Sequence, residues 1–159
     1  MYLISFLFLQ PQIECMISGK WNGSFVLGTD YPKELAGKET DFDLDLECQS
    51  SGFTGFCNDS YTKELFDKPA IVSGSFDGKT ITFTKVYPGS VLEDLDGKTV
   101  TMPKFKSQTI VYTGIATFDD DGQPIEFEGE WLLTLQFRTW FGLRRKVSST
   151  GTWRMKRPF

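Results

Sequence analysis

The sequence predicts an all-β domain, an eight-stranded antiparallel up-and-down barrel. Three observations predict it. Apolar and polar residues alternate with period two along most of the chain, which is the signature of strands with one buried and one solvated face. The 159 residues include 15 Phe, 4 Trp and 15 Gly, and aromatics favour strands while glycine within a strand marks a bend or a close backbone approach. The apolar runs also follow one another through short turns with no convincing helical segment, which describes a meander, and a meander of this length removes its unpaired edges best by closing on itself.

The first barrel strand spans Ile17 to Leu27, with Ile17, Gly19, Trp21, Gly23, Phe25 and Leu27 on one face and Ser18, Lys20, Asn22 and Ser24 on the other. Thr40 to Cys48 alternates more strictly. Phe42, Leu44, Leu46 and Cys48 face inward, and Asp41, Asp43, Asp45 and Glu47 face out. A hairpin at Gln49-Ser50-Ser51-Gly52 leads to a third strand, Phe53 to Asn58, and Ser60 to Pro69 is a polar connection with room for one helical turn. Ala70 to Phe76 and Thr80 to Tyr87 are joined at Asp77-Gly78, a tight hairpin signal. Pro88 to Ser107 is the longest connection, placed to form a flap over one barrel mouth.

Thr109 to Phe118 is the sixth strand and Asp119-Asp120-Asp121-Gly122 the turn that closes it. The seventh, Ile125 to Leu135, is expected to point Ile125, Phe127, Gly129, Trp131, Leu133 and Leu135 inward. Arg138 to Arg145 reads as a mobile loop. The eighth strand, Lys146 to Lys156, points Val147, Gly151, Trp153 and Met155 inward. One device recurs, a glycine followed two residues later by an aromatic on the same face: Gly19/Trp21, Gly74/Phe76, Gly129/Trp131 and Gly151/Trp153. Leaving out a side chain beside a large ring lets a strand coil and the ring lie flat.

The chain has the length of one domain, expected over residues 16–159, and can bury a core without metal or disulfide staples. Residues 1–15 begin with an apolar stretch, Met1 to Leu9, too short for a transmembrane helix and lacking the basic start of a secretory signal. An extra strand or a barrel plug is expected there, with a degenerate signal or a mis-called start as the alternative; a cytoplasmic location follows from the first, and secretion stands as the other option. Formal net charge is −4, with no basic tract beyond Arg144-Arg145-Lys146, so electrostatics support neither a nucleic-acid partner nor an anionic membrane surface. Three cysteines, Cys15, Cys48 and Cys57, make no disulfide framework. Cys48 and Cys57 fall on adjacent strands. Buried thiols are expected, with a disulfide between them as the alternative in an oxidising compartment.

In its motifs the chain resembles the calycin barrels, which include lipocalins and avidins. Gly19-Lys20-Trp21 is similar to the lipocalin Gly-x-Trp opening. The resemblance implies that Trp21 closes one barrel end beneath a basic residue of the last strand, for which Arg154 is the matching candidate. Thr29-Asp30-Tyr31 is similar to a second lipocalin motif but follows the first strand, out of place, and is set aside. Ile17-Ser18-Gly19-Lys20-Trp21, Phe53-Thr54-Gly55 and Trp131-Leu132-Leu133-Thr134 resemble avidin segments, which would make Trp131 a ligand-stacking residue. The family's other stacking tryptophans have no counterparts in Thr80 to Lys85, and the polar ureido-binding residues have none around Asn22 to Thr29, so the resemblance does not extend to biotin.

The chain has no histidine, which removes His-based triads, imidazole acid–base chemistry and most zinc sites. Neither a metal nor a cofactor is expected. Asp41, Asp43 and Asp45 lie along one strand face, whereas a calcium loop curls its ligands round the ion, so a solvated face is the reading. Lys85 and Tyr87 share the parity of Ile81 and Phe83, so the inner face turns polar toward one mouth. Tyr112 on the next barrel strand and Trp131 complete a candidate ligand pocket. A buried ammonium needs an anion or a hydrogen-bonding ligand; the alternative is a Lys85 that snorkels at the rim. The leading expectation is a non-enzymatic barrel that holds a small, partly apolar ligand on Lys85, Tyr87, Tyr112 and Trp131. Two alternatives stand beside it. One is a solid-core barrel that works through outward Val26, Val111, Ile115 and Leu132, including as a homo-oligomer. The other is a lipocalin-like isomerase or cyclase.

Overall fold

The structure is a computed structural model and describes residues 16–93, 99–102 and 108–158. The N-terminal segment expected as a strand or plug lies outside the described residues. Eight strands close into one antiparallel barrel: β1 (Gly19–Leu27), β2 (Glu39–Gln49), β3 (Gly52–Asp59), β4 (Ala70–Phe76), β5 (Thr80–Val86), β8 (Thr109–Phe118), β9 (Pro124–Arg138) and β10 (Arg144–Lys156). Each pairs with the next, and β10 pairs with β1 to seal the ring. The architecture is the up-and-down barrel that the alternation predicts. The long connection after β5 holds two short strands, β6 (Ser90–Glu93) and β7 (Thr99–Met102), paired in a separate hairpin.

Alternation decides which side chains fill the centre. On β2, Thr40, Phe42, Leu44 and Leu46 are buried while Asp41, Asp43, Asp45 and Glu47 are exposed, as the period-two pattern requires. The interior is dense with rings. Phe83 stacks on Tyr112 with centroids 4.7 Å apart and planes 3° from parallel, and Trp153 meets both rings edge-on at 5.3 and 5.7 Å. Each fully buried large side chain contributes about 1.5–3 kcal/mol of transfer free energy.

Glycines make room for those rings across strands rather than along one. Gly151 is the register partner of Trp131, and a Cβ there would lie 2.5 Å from Cε2 and Nε1 of the indole. Gly114 sits under Trp153 in the same way, with 2.5 Å from its hypothetical Cβ to Cζ2. The expected coupling of each glycine with the aromatic two residues on is therefore corrected. A pleated strand sends i and i+2 up side by side, whereas a ring lies down over its neighbouring strand.

Two further expectations are corrected. Ile125 is 39% exposed, and Pro124 is the buried residue at the start of β9, because the β8–β9 pairing shifts register at Thr117/Phe118. Val147 is 48% exposed, since β10 there runs beyond the barrel and pairs with β9 alone. The segment from Arg138 to Arg145 is a hairpin end: Thr139 and Leu143 are bonded through Thr139 N–H to Leu143 O at 2.8 Å, and Gly142 supplies the left-handed residue at φ 77°. Cys48 stands opposite Phe53 and Cys57 opposite Leu44, a register that keeps the two sulfurs in different rungs with no disulfide between them. Cys57 is buried and Cys48 half-buried.

Candidate functional site

The two barrel ends differ in chemistry. At one end, Trp21 is fully buried against Phe127, whose centroid lies 5.2 Å away, and Phe127 meets Phe76 at 5.4 Å. Trp21 Nε1 donates to Ile17 O at 2.8 Å, tying the indole to the turn before β1. The cation over this indole is Arg157, 4.4 Å from the ring centroid, and not Arg154. Arg154 alternates with inward Trp153 and Met155, so it points outward and pairs with Glu39 at 3.5 Å on the surface. Arg157 follows the end of β10, where strand alternation no longer fixes direction, and folds back to donate to Ser18 O at 3.0 Å and Met16 O at 2.5 Å. Partial burial holds its guanidinium pKa below the ordinary value.

The other end carries the candidate site. Lys85 is the third inward position of β5, after Ile81 and Phe83, and is 1% exposed, so it does not snorkel at the rim. Its Nζ donates to Asp59 Oδ2 at 2.7 Å. The Tyr87 hydroxyl donates to the same oxygen at 2.6 Å. Oδ1 of Asp59 accepts from the backbone N–H and the hydroxyl of Thr62, both at 2.8 Å. Both carboxylate oxygens are thus doubly bonded, which fills the acceptor capacity of the group. Around Lys85 Nζ lie three aromatic faces: Tyr87 at 4.7 Å, Phe25 at 5.4 Å and Phe42 at 6.0 Å. Phe66, from the connection after β3, stacks on the outer side of Tyr87 with centroids 6.1 Å apart.

Electrostatics follow from this packing. Burial alone raises the Asp59 pKa, but the Lys85 charge and the hydrogen bonds from Lys85, Tyr87 and Thr62 outweigh it and hold the carboxyl below its ordinary value. Burial also works against the Lys85 ammonium; the Tyr112, Cys57 and Tyr87 groups and the Asp59 carboxylate oppose it, and the net shift is well upward. Among these partners only Asp59 carries a full charge at neutral pH. Burial pushes the Tyr87 and Tyr112 phenols up, and the Cys57 thiol up to about 11, so all three stay protonated. The result is one buried, charge-neutral ion pair among neutral donors.

Of the four residues expected at the site, Lys85 and Tyr87 meet directly through Asp59. Tyr112 belongs to the ring stack on Phe83, and its phenol is electrostatically coupled to Lys85. Trp131 stands one ring further away: its indole N–H donates to Val26 O at 3.1 Å, its face meets Phe25 at 6.4 Å, and Phe25 in turn faces Lys85. Tyr31 closes over Trp131 from the turn after β1, with centroids 6.1 Å apart. That turn is held by Asp30, whose carboxylate accepts from Thr150 N–H at 2.9 Å.

The partner of Lys85 is the functional residue that sequence reasoning missed. The third strand ends at Asp59 rather than Asn58. Phe53, Gly55 and Cys57 are inward, and the same parity carried one step further puts Asp59 inside, so the signal was present. Among the described residues no group of three or more His, Cys, Asp or Glu is gathered as a metal would require, and no helix is long and apolar enough to cross a membrane. No family model and no curated protein matches the chain.

Proposed function

We propose that the barrel binds a small, partly apolar molecule at the Lys85 end, and that Lys85, Tyr87 and Tyr112 recognise a hydrogen-bond acceptor such as a carbonyl or carboxylate on it. The observation that carries the reading is the buried Lys85–Asp59 pair on an otherwise apolar wall. A buried ion pair is often replaceable by packed apolar residues at no loss of stability, so its presence points to a use other than holding the barrel together. Asp59 takes one proton of an ammonium that has three, the Cys57 sulfur accepts as well, and the group lies beside the faces of Tyr87, Phe25 and Phe42. Asp59 itself has no acceptor site to spare, so the ligand is one that accepts rather than donates. Phe25, Tyr31 and Trp131 supply apolar and aromatic surface beside it. An eight-stranded barrel leaves space for at most one small ligand, and Trp21 and Arg157 close the far end.

The test is native mass spectrometry of the chain as purified, followed by titration with the anionic aromatic probe 1-anilinonaphthalene-8-sulfonate. Saturable binding with one-to-one stoichiometry is expected, weakened about fivefold by Tyr112→Phe, which removes a hydroxyl without its ring, at a neutral hydrogen bond's typical worth. Absence of both a co-purified mass and saturable probe binding would overturn the reading in favour of a solid-core barrel that acts through its outer face. That second reading draws on the stacked interior rings and on Val111, Ile115 and Leu132, which are 37%, 55% and 42% exposed, with Val111 directly opposite Leu132.

A further inference from the structure

The net charge of −4 conceals a segregation. All 21 acidic residues lie at or before Glu130, and the chain beyond that point carries only basic charge. Part of this basic segment leaves the barrel. The last register partners of β9 and β10 on the body of the barrel are Ile110 with Leu133 and Leu27 with Gly151. Beyond them, Thr134–Arg138 and Arg144–Ser148 pair only with each other. At about 3.3 Å per residue this two-stranded ribbon projects on the order of 15 Å, from the same end as Lys85.

Its apex is apolar. Trp140 is 97% exposed and Phe141 88%, and their rings stack on each other 6.5 Å apart. Leu143 at 59% and Val147 at 48% continue the apolar surface down the ribbon. The apex is held in shape rather than loose: Gly142 N–H donates to Thr139 O at 2.8 Å, and the Thr139 hydroxyl bridges to Leu143 O at 3.2 Å. Directly behind it stand exposed Arg144, Arg145 and Lys146, with no ion pair to an acid among the described residues. Soluble surfaces seldom present two adjacent, almost fully exposed large rings, and such a patch marks an interaction site.

We infer that this hairpin docks the protein on an anionic lipid bilayer, with Trp140 and Phe141 entering the headgroup layer and Arg144, Arg145 and Lys146 resting against acidic lipid. Aromatic rings favour that depth of a membrane, and basic residues next to it are drawn to anionic headgroups. The shape argues for lipid over a protein partner. A convex apex exposed on all sides needs a matching pocket on a protein, whereas a bilayer yields around it. The acidic outer faces of β2 and of β9 near Glu126–Glu130 would be repelled by the same surface, which orients the molecule with the ribbon toward it.

Trp140 makes the test direct, because the other three tryptophans, Trp21, Trp131 and Trp153, are at most 4% exposed. The full chain is mixed with vesicles of phosphatidylcholine alone and with vesicles containing about one third phosphatidylserine, and both co-sedimentation and tryptophan emission are read. Expected with phosphatidylserine are co-sedimentation, a blue shift, and weakening of both by added salt. Trp140→Ser with Phe141→Ser abolishes them, and Arg144→Glu with Arg145→Glu weakens binding by about thirtyfold or more. Both variants are expected to keep the circular dichroism and melting of the native barrel, since Trp140 and Phe141 are almost fully exposed and Arg144 and Arg145 are exposed. Three outcomes overturn the proposal: no binding to the phosphatidylserine vesicles, equal binding to neutral ones, or native-like binding by the Trp140/Phe141 variant.

Discussion

At one end of the barrel Arg157 lies over Trp21, and at the other Lys85 lies among Phe25, Phe42 and Tyr87. Both ends set a cation against rings, yet among the described residues only Lys85 of the two has a carboxylate partner. The difference follows from depth. Arg157 keeps part of its guanidinium in water and spends its donors on the carbonyls of Met16 and Ser18, so it needs no counter-charge. Lys85 has no water to share its charge, and an isolated buried ammonium costs far more than one side chain can recover. Asp59 is what makes Lys85 tolerable, and Lys85 does the same for Asp59. One end is therefore closed by a latch whose parts are individually replaceable, and the other is lined by a pair whose members are not.

The comparison is broken most easily at the pair. Lys85→Met leaves Asp59 buried with one fewer donor and an uncompensated charge, and a loss of about 3–5 kcal/mol is expected in urea denaturation. Lys85→Met combined with Asp59→Asn removes both charges and recovers part of that loss. If the double variant is no more stable than the single one, the coupling between the two residues is not electrostatic and the contrast between the ends fails.

The same pair sets a pH dependence. Asp59 has a folded pKa below its unfolded value of about 3.9, so its contribution is complete above that value and is lost as pH falls through the depressed one. Lys85 has a folded pKa above its unfolded value of about 10.4, so its contribution is complete below that value and is lost as pH rises through the raised one. Between about pH 5 and 9 neither group changes the stability. Below about pH 4 the native chain is expected to lose stability more steeply than the Lys85→Met/Asp59→Asn variant, by no more than the cost of breaking the pair. Melting curves across pH check this, and parallel acid limbs for the two proteins would detach Asp59 from the acid response.

The contrast also explains which parts could be read from sequence. The barrel was legible because a single rule, alternation on a half-buried strand, holds over β1, β2, β5 and most of β9. The same rule placed Lys85 inside before any partner was known. It loses Asp59 only because the sequence pattern ends the third strand at Asn58, one residue short of the strand in the structure. It misplaces Val147 because inside and outside have no meaning on a ribbon that has left the barrel. It has nothing to say about Arg157, which lies past the last strand residue, Lys156. The chemistry of each end depends on such edge residues, where chain direction is set by tertiary contacts and not by the pleat.

Arg154 and Arg157 turn that last point into a measurement, with the smallest effects of the set. The two arginines are three residues apart, and family resemblance alone favours the first. Arg157→Ala removes a ring contact and two charged hydrogen bonds to carbonyls that water can partly reach, so a loss of about 1–2 kcal/mol is expected, with a change in Trp21 environment visible in near-ultraviolet circular dichroism. Arg154→Ala removes an exposed pair in which the two side chains are 68% and 49% accessible, and such pairs contribute about 0–1 kcal/mol. Its near-ultraviolet spectrum stays that of the native chain, because no part of Arg154 reaches the core. Were the two variants to exchange these signatures, the latch over Trp21 would belong to the strand and not to the residues that follow it, and the end called replaceable here would be built into the barrel wall as firmly as the Lys85 pair.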